Sequence, residues 1–126
     1  MTEIQIQEGN KLIAEFMGWK FNAYPNLTHF NATKPEEKDW VYATYEEELF
    51  HNYVRDNFKY NCSWDWLMDA CKKFSNFSRR EDINGVLNWS EYLEYCDLIK
   101  SYITIFNIQG TFSSLIKGIN WYNRHT

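Results

Sequence analysis

The residues predict an α+β fold: a small sheet layered with three to four helices, in one compact domain covering 1–126. Three stretches carry that expectation. Ser63-Trp64-Asp65-Trp66-Leu67-Met68-Asp69-Ala70-Cys71-Lys72-Lys73-Phe74 reads as a helix, with Ser63 as N-cap and Asp65 at the positive end of the dipole. Trp40-Val41-Tyr42-Ala43-Thr44-Tyr45 is β-branched and aromatic and free of Gly and Pro, so it reads as a strand. From Thr111 onward, Phe112, Leu115, Ile116, Ile119 and Tyr122 recur on one helical face, while Trp121 faces the other way.

The 63–74 helix organises the chain. At 100° per residue Trp64, Leu67, Met68, Cys71 and Phe74 share a face that Trp66, Ala70 and Phe77 widen, an arc suited to a central helix touching two layers. Its two tryptophans point about 160° apart, so one of them is expected to meet a neighbour outside the main core. The predicted core is Trp64, Leu67, Met68, Cys71, Phe74, Phe112, Leu115, Ile116 and Ile119. Aromatics form 19% of the chain, which implies a core of large rings with several left partly exposed.

The remaining elements follow in order. Leu12, Ile13, Phe16 and Met17 predict a helix over about 8–18, ended by a left-handed Gly18 with Trp19 folding back. Residues 2–7 are undecided between helix and strand because Ile4 and Ile6 alternate. Residues 19–35 carry Pro25, Pro35 and several asparagines, and read as an irregular connection with at most a short strand before a Pro25-Asn26 turn. No period decides 46–60. Ser78 to Gly85 reads as a charged link, and Asn88 with Glu91 as a capping box. A helix is then expected to about Lys100 and a strand over 102–106, with a β-hairpin across 92–107 as the alternative pattern.

Three phrases carry a resemblance: Asn10-Lys11-Leu12-Ile13-Ala14-Glu15-Phe16-Met17-Gly18-Trp19; Lys59-Tyr60 followed by Ser63-Trp64-Asp65-Trp66-Leu67-Met68; and Ile119-Asn120-Trp121-Tyr122-Asn123. Together they resemble a family of short phage- and prophage-encoded proteins of the Bacteroides–Flavobacterium group, none with an established enzymatic site. The resemblance implies an α+β layered domain, a phage or mobile-element setting, and an anti-CRISPR-type role as one possibility. The chain departs from the family's middle region at the acidic 36–48 and helix-like 88–100 segments.

No Gly-rich phosphate loop, His-Glu-x-x-His, Gly-x-Ser-x-Gly or Cys-x-x-Cys occurs, and no catalytic residue, metal or cofactor is expected. Cys62 with His51 or His29 is the nucleophile–base pair that any chain with three of each residue offers. Arg79-Arg80 is neutralised by Glu81-Asp82. Cys62, Cys71 and Cys96 are an odd set at no metal spacing, and no N-terminal run is apolar enough for export, so the protein is expected to be cytoplasmic with reduced thiols. The Asn-x-Ser/Thr triplets at Asn26, Asn31, Asn61, Asn76 and Asn88 then reflect asparagine richness alone.

Charge is distributed unevenly. Residues 34–48 hold six acids against Lys34 and Lys38, while the other 111 residues balance eleven acids with eleven bases. The whole net charge of −4 therefore lies in one segment that also contains Trp40, Tyr42 and Tyr45. Like charge for steering beside aromatic anchors suits a basic protein partner, whereas nucleic acid would need clustered Lys and Arg. The expected partner-binding residues are Glu36, Glu37, Asp39, Trp40, Tyr42, Tyr45, Glu46, Glu47 and Glu48. The expected function is a non-enzymatic counter-defence inhibitor of a host immune effector, foremost a CRISPR nuclease or ribonucleoprotein, with no membrane contact. The alternatives are a cyclic-nucleotide sponge, or an accessory phage protein binding another phage or host protein.

Overall fold

The structure, a computed structural model, describes residues 1–24, 29–76 and 89–125, with side chains of 23, 24, 29 and 125 excepted. The element order is α1 (Glu3–Phe16), β1 (Lys20–Tyr24), β2 (His29–Thr33), β3 (Trp40–Thr44), α2 (Glu47–Asn57), α3 (Trp64–Ser75), α4 (Trp89–Thr104) and α5 (Ile108–His125). The fold is α+β, and its helices and strands fall into two compact units, Met1–Lys59 and Tyr60–Thr126.

In the first unit, α1 begins at Glu3, about five residues before the expected start. Thr2 forms a capping box: its Oγ1 accepts from Gln5 N at 3.2 Å and Gln5 Oε1 accepts from Thr2 N at 2.9 Å. Two satisfied orphan amides outweigh the strand-like Ile4–Ile6 alternation, and Ile4 stays 67% exposed. The helix ends as expected at Gly18, with φ at +107°. Gly18 N bonds Glu15 O and Trp19 N bonds Ala14 O, both at 3.0 Å, the paired bonds of a Schellman turn.

The reading of 19–35 as irregular is corrected. Two strands pair antiparallel there, with Phe21 opposite Ala32 and Asn22 opposite Asn31, and β3 adds on the far side of β2. Asn22 and Asn31, two of the asparagines that suggested a loop, lie on one sheet face, where Asn22 Nδ2 donates to Asn31 Oδ1 at 3.2 Å. Phe21 and Phe30 point to the other face, against Phe50 of α2. The Pro25-Asn26 turn lies outside the described residues. The strand expected at 40–45 is present as β3, with a register irregularity between Ala32 and Thr33 that leaves Val41 out of the ladder.

The undecided stretch 46–60 contains the helix α2. Its capping residue Glu46 makes no side-chain cap bond, and it buries only Phe50 and Val54, one turn apart. So short an apolar edge gives almost no sequence period. The helix is held instead by rings: Phe21–Phe58 at 5.4 Å, Trp19–Phe58 at 4.8 Å and Tyr42–Tyr53 at 4.1 Å between centroids.

In the second unit, α3 is capped by Ser63, whose Oγ accepts from Trp66 N at 3.5 Å. Leu67, Ala70, Cys71 and Phe74 are buried along it. Trp64 and Met68, expected in the core, are only half-buried. Trp64 is the first helical residue and its side chain leans past the helix end. Trp66 is the tryptophan that leaves the core, meeting Tyr60 edge-on at 5.2 Å. Phe77, the Ser78 to Gly85 link, Arg79-Arg80 and the Asn88 cap lie outside the described residues.

The strand expected over 102–106 is absent, and α4 continues to Thr104. Tyr102 and Ile103 are half-buried as part of the helix, and the ring of Tyr102 lies in the space that a Cβ at Gly110 would occupy. The β-branched preference of Tyr102-Ile103-Thr104 yields to this packing between α4 and α5. The cap of α5 is also corrected. Asn107 caps it, Oδ1 accepting from Gly110 N at 2.8 Å, and Thr111 is a fully buried helical residue whose Oγ1 donates to Asn107 O.

Helix α5 meets both α3 and α4, so its buried arc is about 180° wide and takes in Phe112, Leu115, Gly118, Ile119 and Trp121. Ile116 falls at the edge of that arc and is half-buried, whereas Trp121 is 3% exposed. Trp121 Nε1 donates to Glu91 Oε2 at 2.6 Å, and its ring lies near Tyr92 and Tyr95. Tyr92 Oη donates to Phe74 O at 2.6 Å, tying α4 to the end of α3.

Candidate interaction surface

The acidic segment is not one loop. Its first part is a turn with Pro35 and Glu36 at the centre, closed by Glu37 N on Lys34 O at 3.2 Å. Glu36 sits at φ +65°, left-handed backbone that a non-glycine residue adopts at a cost of roughly 1–2 kcal/mol. Its second part is β3, and the order β1-β2-β3 puts β3 at a sheet edge. Its third part is the start of α2, where Glu47 and Glu48 sit in the first turn and are favoured by the dipole.

Of the nine residues expected at the surface, eight are exposed: Glu36, Glu37, Asp39, Trp40, Tyr45, Glu46, Glu47 and Glu48. Trp40 is 53% and Tyr45 73% exposed, which is far more than rings of that size retain in a packed position. Tyr42 is the exception. Strand alternation turns it to the helix side, where it stacks on Tyr53 within 3° of parallel and its Oη donates to Leu49 O at 3.4 Å. Burial, and then the neighbouring Tyr42, raise the Tyr53 hydroxyl above its ordinary pKa.

At the start of α2, Glu47 has a local partner in His51, whose Nε2 lies 3.4 Å from Glu47 Oε1. Thr44 Oγ1 accepts from Glu46 N at 3.2 Å and fixes the corner between β3 and α2. A strand edge, two exposed rings and six exposed carboxylates thus share one connected segment. Such a surface can receive an extended basic chain by strand addition, or the face of a basic domain.

Each unit also has a concavity away from this segment. In the first unit a cleft of about 450 Å³ runs between α1 and α2, lined by Ile4, Glu8, Lys11 and Val54 among others. In the second, a cleft of about 400 Å³ runs between α3 and α4, lined by Met68, Cys71, Tyr92, Leu93, Cys96 and Ile103 among others. Burial pushes the Cys71 thiol up to about 12 and raises Cys96 as well, so neither is a ready thiolate. Cys62 is exposed. Among the described residues no group of three His, Cys, Asp or Glu side chains is placed to hold a metal. No helix among them is long and apolar enough to cross a membrane.

No protein-family profile, curated protein or solved structure matches this chain.

Proposed function

We propose that the protein is a non-enzymatic inhibitor of phage or prophage origin that blocks a host immune effector, foremost a CRISPR nuclease or its ribonucleoprotein, by covering a basic surface. The observation that carries this reading is the 34–48 segment: the chain's entire net negative charge, exposed, around an edge strand that presents Trp40 and Tyr45. The strained Glu36 supports it, because an exposed acid held in left-handed backbone gains nothing for the fold. Carboxylates steer the encounter with a guide- or target-binding channel, and the two rings supply the desolvated anchors that hold it. Nucleic acid itself is repelled by the same charge. The setting in phage or prophage rests on the three sequence phrases quoted above.

The test is inhibition of target-DNA cleavage by purified CRISPR ribonucleoproteins. The wild-type chain should inhibit one of them, with an association rate that falls as salt rises. Glu46→Lys, Glu47→Lys and Glu48→Lys together should abolish inhibition without unfolding the chain. Unaltered inhibition by this folded variant excludes the surface. A nucleotide released on heat denaturation of the purified protein would favour a sponge instead.

A further inference from the structure

Strand β3 is an edge left open to addition. The order β1-β2-β3 pairs one side of it with β2, and among the described residues no strand pairs with the other side. Proteins blunt such edges with lysine, proline or a bulge, because a row of outward-facing amides and carbonyls is a template for another strand. Trp40-Val41-Tyr42-Ala43-Thr44 contains neither a charge nor a proline, and its one irregularity, at Val41, lies near its start. Val41 and Ala43 are exposed, whereas Tyr42 between them turns to α2. Side chains of an added strand would therefore meet small apolar neighbours at this edge.

What flanks the strand decides what can pair with it. Glu36, Glu37 and Asp39 precede it and, less the one base Lys38, leave a net charge of −2; Glu46, Glu47 and Glu48 follow it and set −3. Trp40 and Tyr45, 53% and 73% exposed, stand between each acidic cluster and the middle of the strand. The order is acids, ring, apolar centre, ring, acids, about a strand that spans about 17 Å. A second copy of β3 is a poor occupant, since antiparallel pairing about a two-fold axis would set the −3 end of each copy against the −2 end of the other. The opposite edge of the sheet, β1, carries Lys20 as its only charge and offers nothing to a basic strand.

We propose that β3 takes up, by strand addition, an extended segment of a partner protein with a β-branched middle and a lysine or arginine at each end, about five to seven residues apart. Strand addition rests on the inhibitor reading above, in which 34–48 is the partner surface, and narrows the partner from a basic surface to a basic-ended strand. Main-chain hydrogen bonds along β3 fix the register. The carboxylates select the charge at both ends, and each terminal cation lies beside a ring as well as beside acids.

The test uses a synthetic peptide of alternating threonine and valine with arginines at both ends, titrated into the full chain and followed by fluorescence anisotropy and amide hydrogen exchange. The peptide should bind, more weakly as salt rises, and should slow exchange in β3 while leaving β1 unchanged. The same peptide N-methylated at every internal amide keeps its charge and side chains but loses its donors, and should bind at least about 10-fold more weakly. Val41→Lys, at an exposed position, should weaken binding of the unmethylated peptide to a similar degree with an unchanged circular-dichroism melt. Absence of binding overturns the proposal, as does binding unaltered by Val41→Lys. Equal binding of the N-methylated peptide overturns it in favour of the face of a basic domain. Slowed exchange in β1 overturns it too, and slowed exchange in β3 at high protein concentration without peptide overturns it in favour of a second copy. Failure of the peptide while the triple Glu→Lys variant still loses inhibition strikes strand addition alone, whereas inhibition retained by that folded variant strikes the surface reading itself.

Discussion

At the scale of single residues, burial decides which groups titrate and which mutations cost most. Burial and the nearby Asp69 push the Tyr60 hydroxyl up to about 12, and burial alone pushes the Cys71 thiol up to about 12, from ordinary values of 10.0 and 9.0. The unfolded chain therefore releases these two protons at lower pH than the folded one. Stability is full below about pH 9 and falls as pH rises from 9 toward 12. Urea midpoints measured from pH 8 to 11 should show that decline, and Tyr60→Phe with Cys71→Ala should flatten it. Thiol reagents at pH 8 should modify Cys62 long before Cys71, and unfolding in urea should abolish the difference. Among the tryptophans, Trp121→Ala should cost about 3–5 kcal/mol, the usual loss for an emptied aromatic core site, because it empties a buried position and removes the hydrogen bond to Glu91. Trp64→Ala and Trp66→Ala should each cost less, since both rings are partly in water. Equal losses for Trp64 and Trp121 in urea unfolding would contradict this order.

Between elements, contact distances are set by glycines on α5. A Cβ at Gly118 would lie 2.8 Å from Cζ of Phe74, so α3 and α5 touch where α5 has no side chain. Gly118→Ala should therefore destabilise by about 1–3 kcal/mol despite alanine's better helix propensity. Gly118→Ala combined with Phe74→Leu should recover part of the loss, because the shorter side chain vacates that space. If Gly118→Ala raises the melting temperature, the close approach is not as described. The corner at Glu36 works the other way. Glu36→Gly should stabilise by up to about 1 kcal/mol, read as a rise in urea midpoint, because left-handed backbone then costs nothing. If Glu36 belongs to the partner surface, the same change weakens inhibition, so stability and activity move in opposite directions.

For the whole molecule, charge and fold are separable. Glu46, Glu47 and Glu48 are exposed, and exposed charges contribute about 0–1 kcal/mol each, so reversing all three should shift the circular-dichroism melt only slightly. Loss of the N-terminal helix charge on Glu47 and Glu48 accounts for the small decrease expected. A variant that unfolds outright would make the segment structural and remove the basis for the inhibitor reading. A variant that folds and inhibits fully would move the partner site elsewhere.

The sequence by itself determined what depends on neighbours in the chain. Ser63 capping α3, the left-handed Gly18, strand β3 and the α3 positions Leu67, Cys71 and Phe74 follow from local hydrogen bonding, backbone sterics and periodicity. The exposure of the acidic residues was legible too, because a concentration of like charge does not desolvate. Tertiary structure decided the rest. The β1–β2 pairing became visible only when Asn22 met Asn31 across the strands, and α2 only when Phe50 and Val54 found rings to cover them. Residues 102–104 hold the same β-branched and aromatic side chains in any context, but Tyr102 fits over Gly110 as part of a helix, and that packing outweighs a strand preference worth a fraction of a kcal/mol per residue. Phe106 shows the same limit: nothing in its local sequence marks a left-handed residue, and its conformation follows from the turn required to bring α5 back against α4.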